Sequence, residues 1–153
     1  VAGTNAVERL VVEDLRRTGL RVTAPRVAVL AAVRQGGHPT VEALAAAARG
    51  RLVTVSTQAV YDVLGALTTA GLVRRIEPPG GPARFEARVG DNHHHLICRV
   101  CGSMQDIDCA VAIGPCVELP AVPGYAIDEV EVIYKGLCPD CGASGAALPA
   151  FAH

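Results

Sequence analysis

Glu86-Ala-Arg-Val-Gly-Asp-Asn-His-His-His-Leu-Ile-Cys-Arg-Val-Cys101 places a carboxylate, three consecutive histidines and a CxxC pair within one short run. The run separates two halves of opposite charge. Residues 1–90 carry twelve Arg against seven Asp/Glu, and residues 91–153 carry one Arg and one Lys against eight Asp/Glu. The formal net charge of −1 would by itself argue against a nucleic-acid binder. The split predicts instead a basic unit that meets polyanions and an acidic unit that holds cations.

Cys98-Arg-Val-Cys101 finds a counterpart in Cys138-Pro-Asp-Cys141. Two CxxC pairs supply the four thiolates of a tetrahedral zinc site, with Zn–S near ~2.3 Å. Gly102 and Gly142 follow the pairs directly and allow the tight turn of a zinc knuckle. The competing reading is two disulfides or two redox pairs. No signal-peptide pattern or long apolar segment occurs in the 153 residues, so a reducing, cytoplasmic setting with no membrane association is expected, and that disfavours disulfides. Cys109 and Cys116 belong to neither pair. They are read as small buried apolar groups, with an oxidisable pair as the sharper alternative.

If residues 93–98 form a strand, side chains alternate between faces. His93 and His95 then share one face, and His94 joins Leu96 and Cys98 on the other. Two histidines at that spacing can chelate one ion with partners from elsewhere. Glu86 is within chain reach, and His38, the only histidine in the first ninety residues, is a further candidate. A mixed nitrogen and oxygen site suits Fe²⁺, Mn²⁺, Co²⁺, Ni²⁺ or Zn²⁺, and ligand type does not choose among them.

Upstream, Val7, Leu10, Val11 and Leu15 repeat at helical spacing over residues 6–18. Thr23 and Pro25 open a second helix, and Thr40 caps a short, alanine-rich third. Residues 56–70 carry Val60, Val63, Leu64 and Leu67 on one stripe. The opposite face shows Thr57, Gln58, Tyr61, Gly65 and Thr68, with Ser56 at the start. Such a surface is either an ordinary solvated face or one that reads base edges and holds phosphates. The strand-like Leu72-Val-Arg-Arg-Ile76, the turn Glu77-Pro-Pro-Gly-Gly-Pro82 and Ala83-Arg-Phe-Glu86 complete a hairpin. Helices followed by a hairpin bearing Arg74, Arg75 and Arg84 describe a winged helix-turn-helix with its wing on phosphates.

Downstream, a hairpin is expected through the first knuckle, from Leu96–Cys101 to Ser103–Asp108. Residues 125–137 alternate as strands do, with Ile127, Val130, Val132 and Tyr134 as candidates for burial. Residues 109–121 form a weak helix candidate, interrupted by Gly114, Pro115 and Pro120. The expected class is α+β: a winged-helix DNA-binding domain over residues 1–88, a hinge at 89–91, a small α/β dimerisation and metal-binding domain over 92–142 with a four-cysteine zinc site, and a flexible tail over 143–153. The exposed sheet edges of so small a unit would be covered in a homodimer.

These residues resemble the ferric uptake regulator family of metal-dependent repressors over roughly residues 10–142. The resemblance rests on Gly19-Leu-Arg-Val-Thr-Ala-Pro-Arg26, Ser56-Thr-Gln-Ala-Val-Tyr-Asp-Val-Leu64, Ala70-Gly-Leu-Val73, Arg84-Phe-Glu86 and His93-His-His-Leu-Ile-Cys98 with both CxxC pairs. Asp108-Cys-Ala-Val with Pro115-Cys116 is similar to the branch that represses catalase-peroxidase genes in response to iron and oxidants. The resemblance implies a homodimer on palindromic, AT-rich double-stranded operator DNA. It implies structural Zn²⁺ on the four cysteines and a regulatory Fe²⁺ or Mn²⁺, or else Zn²⁺ or Ni²⁺, bridging the domains through His38, Glu86, His93 and His95. Asp106 matches an additional carboxylate ligand, Tyr61 a base-contacting tyrosine, and Arg21 a minor-groove contact.

Three positions depart from the family pattern. Asp62 stands where many members have Arg, Asn92 and Val130 do not complete a third metal site with His94, and Glu86 stands where peroxide sensors usually have Asp. A zinc hydrolase using His38, His93 and His95 with Glu86 as base is the rival class, and a zinc-knuckle interaction module is another. The deaminase pattern fails, because no Glu follows a His at the required spacing. The expectation is a regulator, with no catalytic residues and no small-molecule substrate.

Overall fold

The structure is a computed structural model that describes residues 2–52, 54–91, 93–109, 122–126 and 130–148. The chain divides into two compact units, Val1–Val89 and Gly90–His153.

In the first unit, helices α1 (Ala2–Arg17), α2 (Ala24–Val33), α3 (Val41–Arg49) and α4 (Thr57–Thr69) precede an antiparallel hairpin of β1 (Arg74–Ile76) and β2 (Arg84–Glu86). Helices α2, α3 and α4 each start behind a hydroxyl residue in extended backbone. Thr23, Thr40 and Ser56 accept from the amides of Arg26, Ala43 and Ala59. Each such cap contributes about 1 kcal/mol by satisfying an otherwise orphaned N–H. Helix α4 is closed by Gly71, whose φ of 68° places it in the left-handed region. Leu72 N donates to Leu67 O and Gly71 N donates to Thr68 O, both at 3.0 Å. Because Gly71 and Leu72 complete this helix end, β1 begins at Arg74 and not at Leu72 as the residue pattern suggested.

The core of this unit joins Val11 and Leu15 of α1, Val29, Leu30 and Val33 of α2, Leu44 of α3, and Val60, Leu64 and Leu67 of α4. Burying each large aliphatic side chain contributes roughly 1.5–3 kcal/mol. Ala28, Ala31, Ala45 and Ala48 are also buried, and their small size lets α2 and α3 approach closely. Phe85 of β2 closes the core against the helices. The segment before α3 is tied to β2: Phe85 N donates to Pro39 O at 3.1 Å, and Arg84 Nη1 donates to His38 O at 3.2 Å.

In the second unit, β3 (His93–Cys98) is the middle strand. It pairs antiparallel with β4 (Met104–Asp108) and parallel with β5 (Ile133–Gly136). A short helix, α5 (Pro139–Ala143), follows. Two expectations need correction here. Val130 and Tyr134 are exposed, at 37% and 48%: Val130 precedes β5, Tyr134 lies on β5, which among the described residues pairs on one side only, and alternation shows which residues share a face but not what covers it. Gly102 adopts the expected positive φ of 72°, whereas Gly142 lies inside α5 and donates its N–H to Cys138 O at 2.9 Å. The second knuckle is therefore a helical turn. Ile127 and the helix considered over 109–121 fall outside the described residues, apart from Cys109, which is in neither helix nor strand. Residues 149–153 of the expected tail also lie outside. Among the described residues, no helix is long and apolar enough to cross a membrane.

Candidate metal centres and nucleic-acid surface

The β3–β4 turn and α5 bring Cys98, Cys101, Cys138 and Cys141 together, with their sulfurs all within 4.8 Å of one another. Cys101 Sγ and Cys138 Sγ are 3.7 Å apart. A tetrahedron with metal–sulfur bonds of ~2.3 Å has edges of about 3.8 Å, so the donor set fits zinc. Ring closure is local at both ends. Gly102 N donates to Cys98 O at 3.0 Å, and Cys141 N donates to Cys138 Sγ at 3.4 Å.

The thiols respond to one another. Donation from the backbone of Cys101, and after it Cys138, brings Cys98 down to about 6. The Ser103 hydroxyl, 3.2 Å from Cys101 Sγ, lowers Cys101. Cys141 is pushed up to about 12, first by the Cys138 sulfur and then by burial. Four thiols so close cannot all ionise unaided, and a bound dication is what allows the full thiolate set. Cys109 is disulfide-bonded and half-buried, which corrects its reading as a buried apolar group. Cys116 lies outside the described residues.

A second donor group lies on the other face of the same sheet. The register pairs His95 with Asp106 and His93 with Asp108, so cross-strand geometry gathers them on one side. His93 Nε2 and His95 Nε2 lie 3.9 and 3.7 Å from Asp106 Oδ1. The two imidazoles meet edge to face with centroids 4.9 Å apart. Asp91 Oδ1 is 2.8 Å from His93 Nδ1, a contact that orients the ring and fixes its tautomer. The sequence reading missed Asp91 as a partner, although its spacing of two from His93 was visible. His94 points to the opposite face, where its ring meets Tyr134 with centroids 6.1 Å apart.

In the first unit, His38 and Glu86 are both buried, and His38 Nε2 is 3.3 Å from Glu86 Oε2. Arg74 Nη1 approaches Glu86 Oε1 at 4.0 Å. His38 has a φ of 50°, an uncommon conformation for a residue with a side chain and one that concentrates at functional positions.

Helix α4 exposes Gln58, Tyr61, Asp62, Gly65 and Thr68 as one stripe. At its start, the Ser56 hydroxyl is the cap. Thr57 Oγ1 accepts from Arg49 Nη2 at 3.0 Å, and Gln58 Nε2 donates to Asp62 Oδ1 at 3.0 Å. Sequence reading identified neither Arg49 nor the hold of Asp62 on Gln58. Arg21 is exposed, and its carbonyl accepts from Arg26 Nη1 at 2.8 Å. The hairpin arginines differ from one another. Arg75 is exposed beside Glu77, at 2.7 Å, while Arg74 and Arg84 are half-buried and turn towards Glu86 and the His38 carbonyl.

Comparison with known proteins agrees with this architecture. The chain is 58% identical over 132 residues to the "Transcriptional regulator FurA" of Mycobacterium tuberculosis, covering 86% of this chain and 90% of that protein. The ferric uptake regulator of Helicobacter pylori has the same fold, with a TM-score of 0.65 at 18% identity, covering 90% of this chain and 93% of that one. The ferric uptake regulator of Pseudomonas aeruginosa, solved with manganese, matches with a TM-score of 0.61 at 25% identity, covering 84% and 98%. The sequence profile of the ferric uptake regulator family matches residues 17–134. That match spans both halves of the molecule and sets the hydrolase reading aside: the chain belongs to the ferric uptake regulator family.

Proposed function

We propose that the chain is a metal-dependent transcriptional repressor that binds palindromic, AT-rich double-stranded DNA as a homodimer in the cytoplasm. The observation that carries this reading is the presence of two donor sets of different chemistry on opposite faces of one sheet. The four cysteines suit a permanent zinc. His93, His95 and Asp106 form a nitrogen and oxygen set that suits an exchangeable Fe²⁺ or Mn²⁺, or Zn²⁺ or Ni²⁺.

In this reading His38 and Glu86 complete the regulatory site. A bound ion there supplies positive charge that joins donors from residues 1–88 to donors from residues 92–142 across the joint at 89–91. Metal then raises DNA affinity only by its differential affinity for the DNA-competent arrangement. The α4 stripe enters the major groove. Ser56, Thr57, Gln58 and Tyr61 face bases and phosphates, and the exposed Arg21 and Arg75 supply the direct basic contacts, while Arg74 and Arg84, turned towards Glu86 and the His38 carbonyl, add positive charge behind them. The exposed Tyr134 of β5 supports a second copy covering the β5 side.

The test is selection of duplexes from a randomised library by zinc-loaded protein, with Mn²⁺ and with chelator in parallel. A palindromic sequence enriched only with Mn²⁺ is expected. Tyr61→Ala should reduce preference for that duplex over random DNA. Arg75→Ala should weaken binding to both about equally and flatten the salt slope by roughly one unit. Failure to enrich any duplex under either condition would overturn the reading.

A further inference from the structure

Gln58 lies on the exposed stripe of α4, and its amide is held by a carboxylate one turn later. Gln58 Nε2 donates to Asp62 Oδ1 at 3.0 Å. Both residues are exposed, so no packing requires this contact. A carboxylate offers acceptors only, so the nitrogen of Gln58, and not its oxygen, must face Asp62. The contact therefore fixes which way round the amide is presented. The neighbouring polar side chains are held as well: Ser56 by capping Ala59 N, and Thr57 by Arg49.

Fixing the amide has a consequence for base reading. In the major groove, adenine presents an acceptor, N7, beside a donor, the N6 amino group, whereas guanine presents two acceptors. A glutamine matches adenine with its oxygen and one N–H together. A freely turning glutamine also tolerates guanine by swinging its nitrogen towards N7 and O6. With one N–H already on Asp62, the remaining N–H and Oε1 keep a fixed order along the groove, which matches adenine and penalises guanine. The rotamers that Gln58 would otherwise lose on binding are also restricted beforehand.

We propose that Asp62 is a positioning residue for sequence recognition: by holding the amide of Gln58 in one orientation, it sets an adenine-over-guanine preference at a single base pair. The inference rests on α4 being the DNA-reading helix. Asp62 touches Gln58 and needs no contact with the base. As a negative group near phosphates, it lowers affinity for all duplexes alike and sharpens discrimination at one position.

The test uses full-length, zinc-loaded protein with Mn²⁺ and the duplex that the wild type enriches from a randomised library. Affinities are measured for wild type, Asp62→Ala, Asp62→Asn, Asp62→Glu, Gln58→Ala and the Gln58→Ala/Asp62→Ala double variant, on duplexes with each A·T pair changed to G·C. At one pair, the wild type should favour A·T by about 10-fold or more, the range of a good bidentate contact. Asp62→Ala removes the acceptor, and Asp62→Asn offers an N–H as well as an oxygen and so accepts either orientation of Gln58. Both should reduce that preference to about 3-fold or less while raising affinity for all sequences. Asp62→Glu, which keeps the carboxylate, should preserve it. Replacing the adenine at that pair by 7-deazaadenine should weaken wild type more than Asp62→Ala.

In the Gln58→Ala background, removing Asp62 should not alter discrimination at that pair, because the two residues act through one contact. Unchanged preference in Asp62→Ala and Asp62→Asn overturns the proposal. So does a preference that Asp62→Ala abolishes equally with and without Gln58, since Asp62 would then read the base itself. If the wild type enriches no duplex, the DNA-binding reading fails and this inference fails with it. An enriched duplex that is indifferent to Asp62 refutes only the inference.

Discussion

Asp91 Oδ1 lies 2.8 Å from Nδ1 of His93, and Nε2 of the same ring is the nitrogen on the Asp106 side. The carboxylate thus assigns the two ring nitrogens separate tasks. Asp91→Ala should weaken binding of Mn²⁺ by about 10–100-fold, the usual effect of losing a partner that orients a ligand. Zinc content should be unchanged. Competitive Mn²⁺ titration beside elemental analysis checks both, and wild-type Mn²⁺ affinity in Asp91→Ala would show that the contact orients nothing of consequence.

Replacing any one of Cys98, Cys101, Cys138 or Cys141 by Ser leaves three thiolates for a four-coordinate ion. Since binding at such a site is also folding free energy, each variant should lose zinc and melt earlier in its second unit. Stripping zinc from wild type with a strong chelator should give the same result. Elemental analysis and thermal unfolding followed by circular dichroism are the measurements. Four single variants that keep zinc and wild-type melting would remove the structural role.

Asp14 links α1 to α2 through Arg34 and accepts from Arg17 at 2.6 Å. Its hydrogen bonds to Arg34 and then Arg17 hold its carboxyl below the ordinary 3.8. A depressed folded-state value means the stabilisation is fully present above the unfolded value and is lost as pH falls through the folded one. Asp14→Asn should therefore cost about 1 kcal/mol at neutral pH, as expected for a half-exposed charged contact. The difference from wild type should shrink as pH drops below 3.8. Urea unfolding of both proteins across that range tests it, and a gap that stays constant or widens in acid would be the wrong sign.

Gly65 occupies the middle of α4, where a Cβ would meet nothing within 4 Å. Glycine there costs up to about 1 kcal/mol relative to alanine, and no internal contact requires it. It shares the exposed stripe with Tyr61 and Thr68, so close approach of DNA is the reason offered. Gly65→Ala should raise the melting temperature and weaken operator binding together. A variant that is more stable and binds DNA equally well would leave the glycine unexplained.

What could be read from the residues followed the range of the interactions involved. Thr23, Thr40 and Ser56 cap amides three residues on, and such signals are written in adjacent residues. The CxxC pairs and the alternation of His93, His94 and His95 are equally local; the four-cysteine group and the shared face of His93 and His95 followed from them, whereas Asp106 came only from the family resemblance. Burial at Val130 and Tyr134 differs from the expectation because it depends on what packs over them: Val130 lies before β5 begins, and Tyr134 lies on a strand paired on one side only among the described residues. The turn at Gly142 was misjudged because an N-capping Cys138 and Pro139 start a helix there. The hold of Arg49 on Thr57 spans eight residues and the end of α3, so no short-range pattern announces it. The contact of Gln58 with Asp62 is a one-turn helical pair and was legible in principle, but Asp62 was weighed only as a departure from the family pattern.

The central claim is that a metal ion held by His38, Glu86, His93 and His95 switches DNA binding. Its most direct test is operator affinity against free Mn²⁺ for wild type, His38→Ala and His95→Ala, with zinc content verified in each. The account predicts that wild type tightens its grip on the operator as Mn²⁺ rises, while both variants keep their zinc and fold but respond only at much higher Mn²⁺ or not at all. Variants that respond to Mn²⁺ as wild type does would contradict it.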